Sequence, residues 1–434
     1  MTWKKVKLGD VLNRKRRNIT IENDKEYKLT TIKLHHKGVV LRSLAKGENI
    51  KSNMSEIKAG DFILSGIDAR NGAFGIVPTE MDEAIITNDF WCLDPDENQM
   101  DKQFFLFLTS TSFFDNICKQ SSDGTTQRIR LQREKFFDYE ITLPPITEQQ
   151  GFVKKFQATQ TKQIELLTQL TTQQTLIKKL KQAYLSEAIR GELVEQDPSD
   201  EPASELLARI KSEKLKTKTK KVKHLKPITS DEIPFQIPKS WTWCRLGEIA
   251  EITRGKSPQY DPNGVFKMLN QKCIKWFYVD PSHSKSINKE WFEQLKHDNK
   301  VIAGDILVNS TGEGTIGRSA LADTNVEGYI NDSHILKVRS QINQVYICNL
   351  INSIYGQDLI NSVKGATSTK QTELGVNNLS NFIIPLPPLA EQERIVARLD
   401  ELMTICDQLE SENLKSQTHT KELLAVVLKE SLEG

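Results

Sequence analysis

Hydrophobic and polar positions follow two rhythms along the chain, and the pair of rhythms occurs twice. Short apolar runs between Gly, Asn and Asp turns, such as "GDFILSG" (60–66), "AIITNDFWCL" (84–93) and "NFIIPL" (381–386), predict β-strands. Helical spacing is mixed in at "KQFFLFLTSTSFFDNICK" (102–119) and "VYICNLINSIYGQDLINSV" (345–363). Each β-rich region ends at a Pro-Pro stop, and a long helical pattern follows. In the first helix Phe152, Phe156, Leu166, Leu170, Ile177, Leu180 and Tyr184 are completed to a 4-3-4-3 spacing by Thr159, Gln163 and Gln173. In the second, Ile395, Leu399, Leu402, Cys406, Leu409, Leu423 and Val427 keep the same rhythm, with Asn413, Ser416 and Thr420 between them. This is the heptad of a coiled coil with polar residues in its seam. Each helix is expected to run ~40 residues, or ~60 Å, and an apolar stripe of that length needs a partner, here the other copy. Thr147 and Gln150 fit a capping box at the first helix start; Ala390 breaks that pattern at the second.

The doubling extends through the whole chain. "VKLGDVL" (6–12) matches "CRLGEIA" (244–250), "IKAGDFILSG" (57–66) matches "VIAGDILVNS" (301–310), and "GAFGIV" (72–77) matches "GTIGRS" (314–319). "GTTQ" (124–127) corresponds to "GATS" (365–368), and "LPPITEQQ" (143–150) to "LPPLAEQE" (386–393). The matches are collinear, at offsets of 238 to 244 residues, which marks a duplication. Between the halves, "SELLARIKSEK" reads as a short amphipathic helix, followed by a Lys-rich run to Lys226 and a proline-rich lead into the second half. The expected boundaries are 1–145, a first β-rich domain; 146–195, a first long helix; 196–238, a short helix with the Lys-rich linker; 239–388, a second β-rich domain; and 389–434, a second long helix. The expected class is α+β: two similar mixed α/β domains related by a pseudo-twofold axis and joined by two long antiparallel coiled-coil helices.

Composition narrows the function more by exclusion than by assertion. The 434 residues are 38% hydrophobic and 27% charged, as in globular proteins, and two to three domains are expected from length. No apolar run reaches the ~18 residues of a membrane span, and the cytoplasm is the expected location. The six cysteines show no CxxC pairing and read as reduced packing residues. A net charge of +2 leaves local clusters such as "RKRRN" (14–18) to decide the question of a polyanion.

Catalytic motifs fail on context. "GEGTIG" (312–317) fits G-x-G-x-x-G, but no clear helix follows, so it reads as a turn between strands. "RGKS" (254–257) lacks the first P-loop glycine and meets Pro258 where a helix is required. No metalloprotease, nucleophile-elbow, nuclease or amino-methyltransferase motif is present. No catalytic residue and no metal site are expected.

The loops that recur in register are rich in side chains that read base edges and hold phosphates. From them the DNA-contact candidates are Ser65, Arg70, Asn71, Thr125, Thr126, Gln127, Arg128 and Arg130 in the first half. In the second half they are Asn309, Ser310, Thr311, Thr367, Ser368, Lys370 and Gln371. Arg70, Arg128, Arg130 and Lys370 are expected on phosphate or guanine, and Gln127, Asn309 and Gln371 on bases through their amides. A rigid helical spacer would then set the distance between two half-sites on DNA. A self-sufficient DNA methyltransferase or nuclease, and a coiled-coil scaffold that binds no DNA, remain the alternatives.

With the opening "WKKVKLGDV", the two LPP-x-x-EQ junctions, "AYLSEAIRGELVEQDPSDEPASELLARI" and "IPKSWTWCRLGEIAEI", the chain resembles the specificity (S) subunits of type I restriction–modification enzymes over essentially its full length. The resemblance implies a non-catalytic subunit whose two target-recognition domains each read half of an asymmetric split DNA site. It also implies two methyltransferase (M) subunits that carry S-adenosylmethionine and methylate adenine N6, and restriction (R) subunits that use ATP and Mg; this chain would itself bind no cofactor. The family's conserved junctions and helices assign Pro145, Glu148, Gln149, Phe152, Phe156, Leu166, Leu170 and Ile177, with Pro388, Glu391, Gln392, Ile395, Leu399, Leu402 and Leu409, to spacing and M-subunit docking. One departure from the family pattern is visible: "GELVEQDPSDEP" has no second copy after the second helix.

Overall fold

A computed structural model describes residues 3–124, 129–217, 225–363 and 373–433, with side chains through 423. The chain forms two compact units, 1–169 with 416–434 and 170–415, and the cuts fall inside the two long helices.

In the first unit, four antiparallel strands follow the order Leu12–Lys15, Phe90–Pro95, Phe62–Ser65, Phe74–Ile76. Their inner face and the helices Lys102–Thr109 and Ser112–Gln120 enclose a core of Phe62, Leu64, Phe74, Phe104, Phe105 and Phe114. A second sheet adds the long hairpin Glu26–Ile32 and Val39–Lys46, with Leu29 paired in parallel to Ile85. The second unit repeats the four-stranded order as Ala250–Arg254, Ile335–Ser340, Ile306–Asn309, Ser319–Leu321. Its small sheet is shorter: Phe266–Leu269 lies between Lys285–Ile287 and Ile330–Asn331, and the parallel pairing recurs as Met268 with Ile330. In both units a first strand closes onto the last: Lys4–Lys7 on Glu140–Leu143, and Thr242–Arg245 on Ile383–Leu386.

The repeated Ala-Gly-Asp has a local cause. Gly60 and Gly304 take φ of +82° and +88°, left-handed values that a side chain resists. The next Asp accepts from the backbone N–H three residues back, Lys58 at 2.8 Å and Ile302 at 2.9 Å. Each Asp also holds an Arg, Arg17 just after the strand Leu12–Lys15 for Asp61 and Arg339 on the strand Ile335–Ser340 for Asp305. "GEGTIG" lies between the strands Ile306–Asn309 and Ser319–Leu321, as the sequence indicated.

The long helices are Ile146–Arg190 and Leu389–Glu433. In the second unit, Asn413 Nδ2 donates to Leu170 O at 3.0 Å and Gln173 Oε1 at 3.1 Å, and Lys181 Nζ reaches Asp407 and Glu410 at 2.6 and 2.7 Å. Residue numbers rise on one helix as they fall on the other, so the stretches are antiparallel. In the first unit Gln163 Nε2 donates to Thr420 O at 2.7 Å.

Three expectations change. The first helix begins at Ile146, so Thr147 lies inside its first turn and cannot be the N-cap of a capping box. The seam slips from the strict heptad: Leu167, Lys181 and Glu410 are half-buried while Leu166, Leu180, Leu409 and Leu423 face outward. The steps Thr159–Gln163–Leu167 and Leu402–Cys406–Glu410 insert an extra four, which keeps the helix near its natural 3.6-residue period. Val427 lies beyond the described side chains. The linker helix Ala203–Thr217 also belongs to the second unit's core rather than to a free linker, because Ala203, Leu206, Leu207 and Ile210 pack with Trp241, Cys244 and Leu246. The first helix stops at Gly191 (φ +75°), where a Cβ would fall 2.4 Å from Pro238 Cγ. All six cysteines are buried and unpaired, and no helix of the described residues is long and apolar enough to cross a membrane.

Candidate nucleic-acid interface

The junction motif explains itself first, because it fixes the surfaces that can face a ligand. At the first junction Trp3 Nε1 donates to Glu148 at 2.9 Å. Gln149 is fully buried; it donates to Pro144 O and Gln99 O and accepts from Asp101 N. At the second, Trp241 Nε1 donates to Glu391 at 2.8 Å, while Gln392 donates to Pro387 O and accepts from Asn343 N. Glu391 also accepts from Gln196 at 2.6 Å, and its burial raises the carboxyl pKa. Thus Glu and Gln lock each helix onto its own domain. Gln149, Pro388, Glu391, Gln392, Ile395 and Leu399 are buried, and Phe152 and Phe156 pack on the first core. The buried ones face their own domain, and Phe152 and Phe156 are half-buried against it. Pro145 and Glu148 are partly exposed, Leu170, Ile177 and Leu402 flank the seam, and Leu166 and Leu409 remain open.

Above the central sheet the two domains share a second frame. In the first, Gly66 N donates to Asp89 O and Leu131 N to Gly66 O, both at 2.7 Å. In the second, Ser310 N donates to His334 O at 2.8 Å and Leu374 N to Ser310 O at 2.7 Å. The frame brings Arg130 2.9 Å from Asp89. At the corresponding places stand Glu373 and His334, and Glu373 binds Arg254. At matched backbone positions a basic side chain in the first domain is therefore replaced by an acid in the second, and an acid by a histidine.

The frame also sorts the sequence candidates. Arg130 and Asn71 are exposed, and Arg70 is half-buried with an Nε that has no partner among the described residues. Ser65 is buried and accepts from Asp68 N. Asn309 and Ser310 are 0% exposed, and Asn309 Nδ2 donates to Gln271 O. Ser65, Asn309 and Ser310 therefore build the frame and cannot reach a base, which corrects the expectation drawn from their polarity. Thr311 is half-buried and joins Gln271 and exposed His334 in one hydrogen-bonded group. Thr125, Thr126, Gln127, Arg128, Thr367, Ser368, Lys370 and Gln371 lie outside the described residues.

Other groups at this surface emerge only in three dimensions. Arg14 lies over the Trp91 ring at 5.0 Å and donates to Asn88 O at 2.7 Å. Burial, with Arg16 and Arg133 adding repulsion, lowers its pKa to about 10, so it keeps its charge at neutral pH. Arg16 and Arg133 are exposed, and three mutually repelling guanidinium groups make a site suited to an anion. The "RKRRN" run signalled the first two; Arg133 needed the fold. Gln271, His334 and Arg254 carried no signal in the sequence.

A model of the type I restriction modification DNA specificity domain matches residues 1–181 and 238–417. The chain belongs to this family. Among its relatives, the type I restriction enzyme EcoEI specificity subunit of Escherichia coli is 34% identical over 262 residues, 58% of this chain and 43% of that protein. The EcoAI specificity subunit of the same organism is 34% identical over 58% of this chain and 44% of its own length. The matches thus span less than half the length of these two relatives. Among solved structures, the HsdS subunit from Thermoanaerobacter tengcongensis shares the fold at TM-score 0.59 and 20% identity, covering 100% of this chain and 97% of that one. A chain from a structure concerned with complex assembly and conformational transition of the type I R-M system aligns at TM-score 0.66 and 19% identity, over 99% and 97% of the two chains. Membership in the specificity family accords with two recognition domains on one frame.

Proposed function

We propose that this chain reads a bipartite, asymmetric DNA target, one half-site per recognition domain, for a type I restriction–modification complex. The observation that carries the reading is the shared backbone frame with different side chains at its matched positions, Arg130 and Asp89 in one domain and Glu373 and His334 in the other. A duplicated scaffold that keeps its hydrogen bonds and changes its surface groups suits two different sequences read by one geometry. The spacer helices set the half-site separation and dock two M subunits. Their outward apolar residues, Leu166, Leu176, Leu180, Ile405 and Leu409, are 37–56% exposed and offer the surface for that contact. S-adenosylmethionine resides in the M subunits, which methylate adenine N6. ATP and Mg serve R subunits, and this chain contributes no catalytic group.

The test is the map of methylated adenines in cells that express this chain with an M subunit. The expected result is one asymmetric split motif with a fixed spacer. Methylation without a split motif, or transfer to DNA by the purified chain alone, overturns the proposal.

A further inference from the structure

We propose that the turn Lys275–Tyr278 is a finger that stacks aromatic rings on the bases of the second half-site. The inference rests on the DNA-reading function proposed above and adds an element to it. Trp276, Phe277 and Tyr278 are consecutive and 42%, 43% and 60% exposed. Phe277 sits at φ +70°, a left-handed conformation that a bulky side chain enters only when the surroundings impose it. They do so here. Lys275 N donates to Tyr278 O at 3.1 Å, Phe277 N to Ser319 O at 3.0 Å, and Asp280 N to Cys273 O at 2.7 Å. The rings are thus held outward on a fixed turn instead of folding into the cores beneath.

The first domain has a left-handed, ring-bearing turn in the corresponding connection, with His35 exposed and the His36 ring held 3.2 Å from Asp115 and edge-on to Phe74. Lys33, Leu34, His35 and His36 occupy the corresponding turn, with His35 and His36 at φ +58° and +55°. His35 N donates to Asn71 O at 2.9 Å and His36 N to Gly72 O at 3.0 Å. In each domain a ring-bearing, left-handed turn is therefore fastened to the chain that follows the central strand: to the loop at Asn71 and Gly72 in the first, and to the strand at Ser319 in the second. Recurrence of an unfavourable geometry with different rings points to use rather than accident.

Charge selects the occupant. Lys272 and Lys275 flank the finger in sequence, and Arg318 precedes its anchor Ser319. Asp280, the one acid between residues 265 and 287, is drawn to Lys275 at 3.9 Å and His283 at 3.6 Å. Exposed aromatics within a basic surround match a polyanion that also presents stacking faces, as nucleic acid does. An apolar protein partner would need the rings but not the lysines.

The experiment uses the full chain with its M subunits and duplexes carrying the mapped target. 2-Aminopurine is placed at successive steps of both half-sites, excluding the methylated adenines, whose extrusion gives its own signal. The expected result is increased fluorescence at one step of one half-site. Trp276→Ala with Tyr278→Ala should abolish that signal and weaken binding about tenfold, with an unchanged dependence on salt, because stacking releases no counterions. Phe277→Gly should weaken binding while preserving or raising the thermal midpoint, since glycine accepts the turn without strain. Unchanged affinity and fluorescence in the folded variants overturns the finger and leaves DNA reading intact. Loss of M subunits from the purified variants overturns it in favour of a protein contact. A wild-type complex that binds no target overturns both readings.

Discussion

The two recognition domains agree where the chain is buried and disagree where it is wet. Both lock a tryptophan onto the junction Glu, turn on Ala-Gly-Asp, and run four strands in one order. Yet one carries a long basic hairpin, with six Lys or Arg and one Glu between residues 25 and 46, where the other carries short strands and three exposed aromatics. On the reading proposed above, the difference separates what a split-site reader must keep, the aim of each domain along its helix, from what it must vary.

The sharpest way to break this comparison is at the junctions. Glu391 is fully buried and accepts from two donors, whereas Glu148 is partly exposed and serves Trp3. Glu391→Ala leaves Trp241 Nε1 without an acceptor in a closed site, while Gln196 Nε2 keeps Gly191 O, at a cost of about 2–3 kcal/mol. Glu148→Ala, open to water, should cost about 1 kcal/mol. Hydrogen exchange on the strands Ile383–Leu386 and Glu140–Leu143 reads each effect locally. Equal losses would mean that the two junctions are energetically alike despite their burial.

A second test addresses the surfaces. Arg130→Ala should relax one position of one half-site and Glu373→Ala one position of the other, each by about 1–2 kcal/mol of discrimination. Arg16→Ala or Arg133→Ala should instead weaken binding to all sequences alike and lower the salt slope by about one. Methylation maps of the four variants decide it: if Arg130→Ala and Glu373→Ala loosen the same half-site, the assignment of one domain to each half falls.

Much of the conserved frame was legible in the sequence, because it rests on local chemistry. Leu-Pro-Pro stops a strand, Ala-Gly-Asp needs a left-handed glycine, and collinear repeats announce the duplication. The reading surface was less legible. Asn309 and Ser310 looked like base readers because polarity is visible in a sequence and burial is not; the sheet places both at the bottom of the frame. Arg254 and Glu373 lie 119 positions apart and meet only through strand order. In the helices, strict heptad counting placed Leu180 and Leu409 in the seam. The actual period of the helix put Lys181 and Glu410 there, where they pair.

The smallest expected effect concerns pH and the same junction asymmetry. Burial raises the Glu391 carboxyl above its ordinary value of 4.5, so the folded chain keeps that proton at a pH where the unfolded chain has lost it. In that window the folded state binds more protons than the unfolded, and stability falls as pH rises through the raised value. Below 4.5 the carboxyl is largely protonated in both states and the contribution is fully present. Glu391→Gln removes the titration. The wild-type second unit should therefore lose protection relative to this variant as pH increases from about 4.5. Carboxylates whose pKa is lowered, Asp61 beside Arg17 among them, push the whole chain's curve the other way, so the difference between the two proteins, not either curve alone, carries the result. A difference that is flat with pH, or that grows toward acid, would show that the Trp241 and Gln196 hydrogen bonds hold Glu391 ionised, and that the second junction is an anion clamp rather than a proton-bearing one.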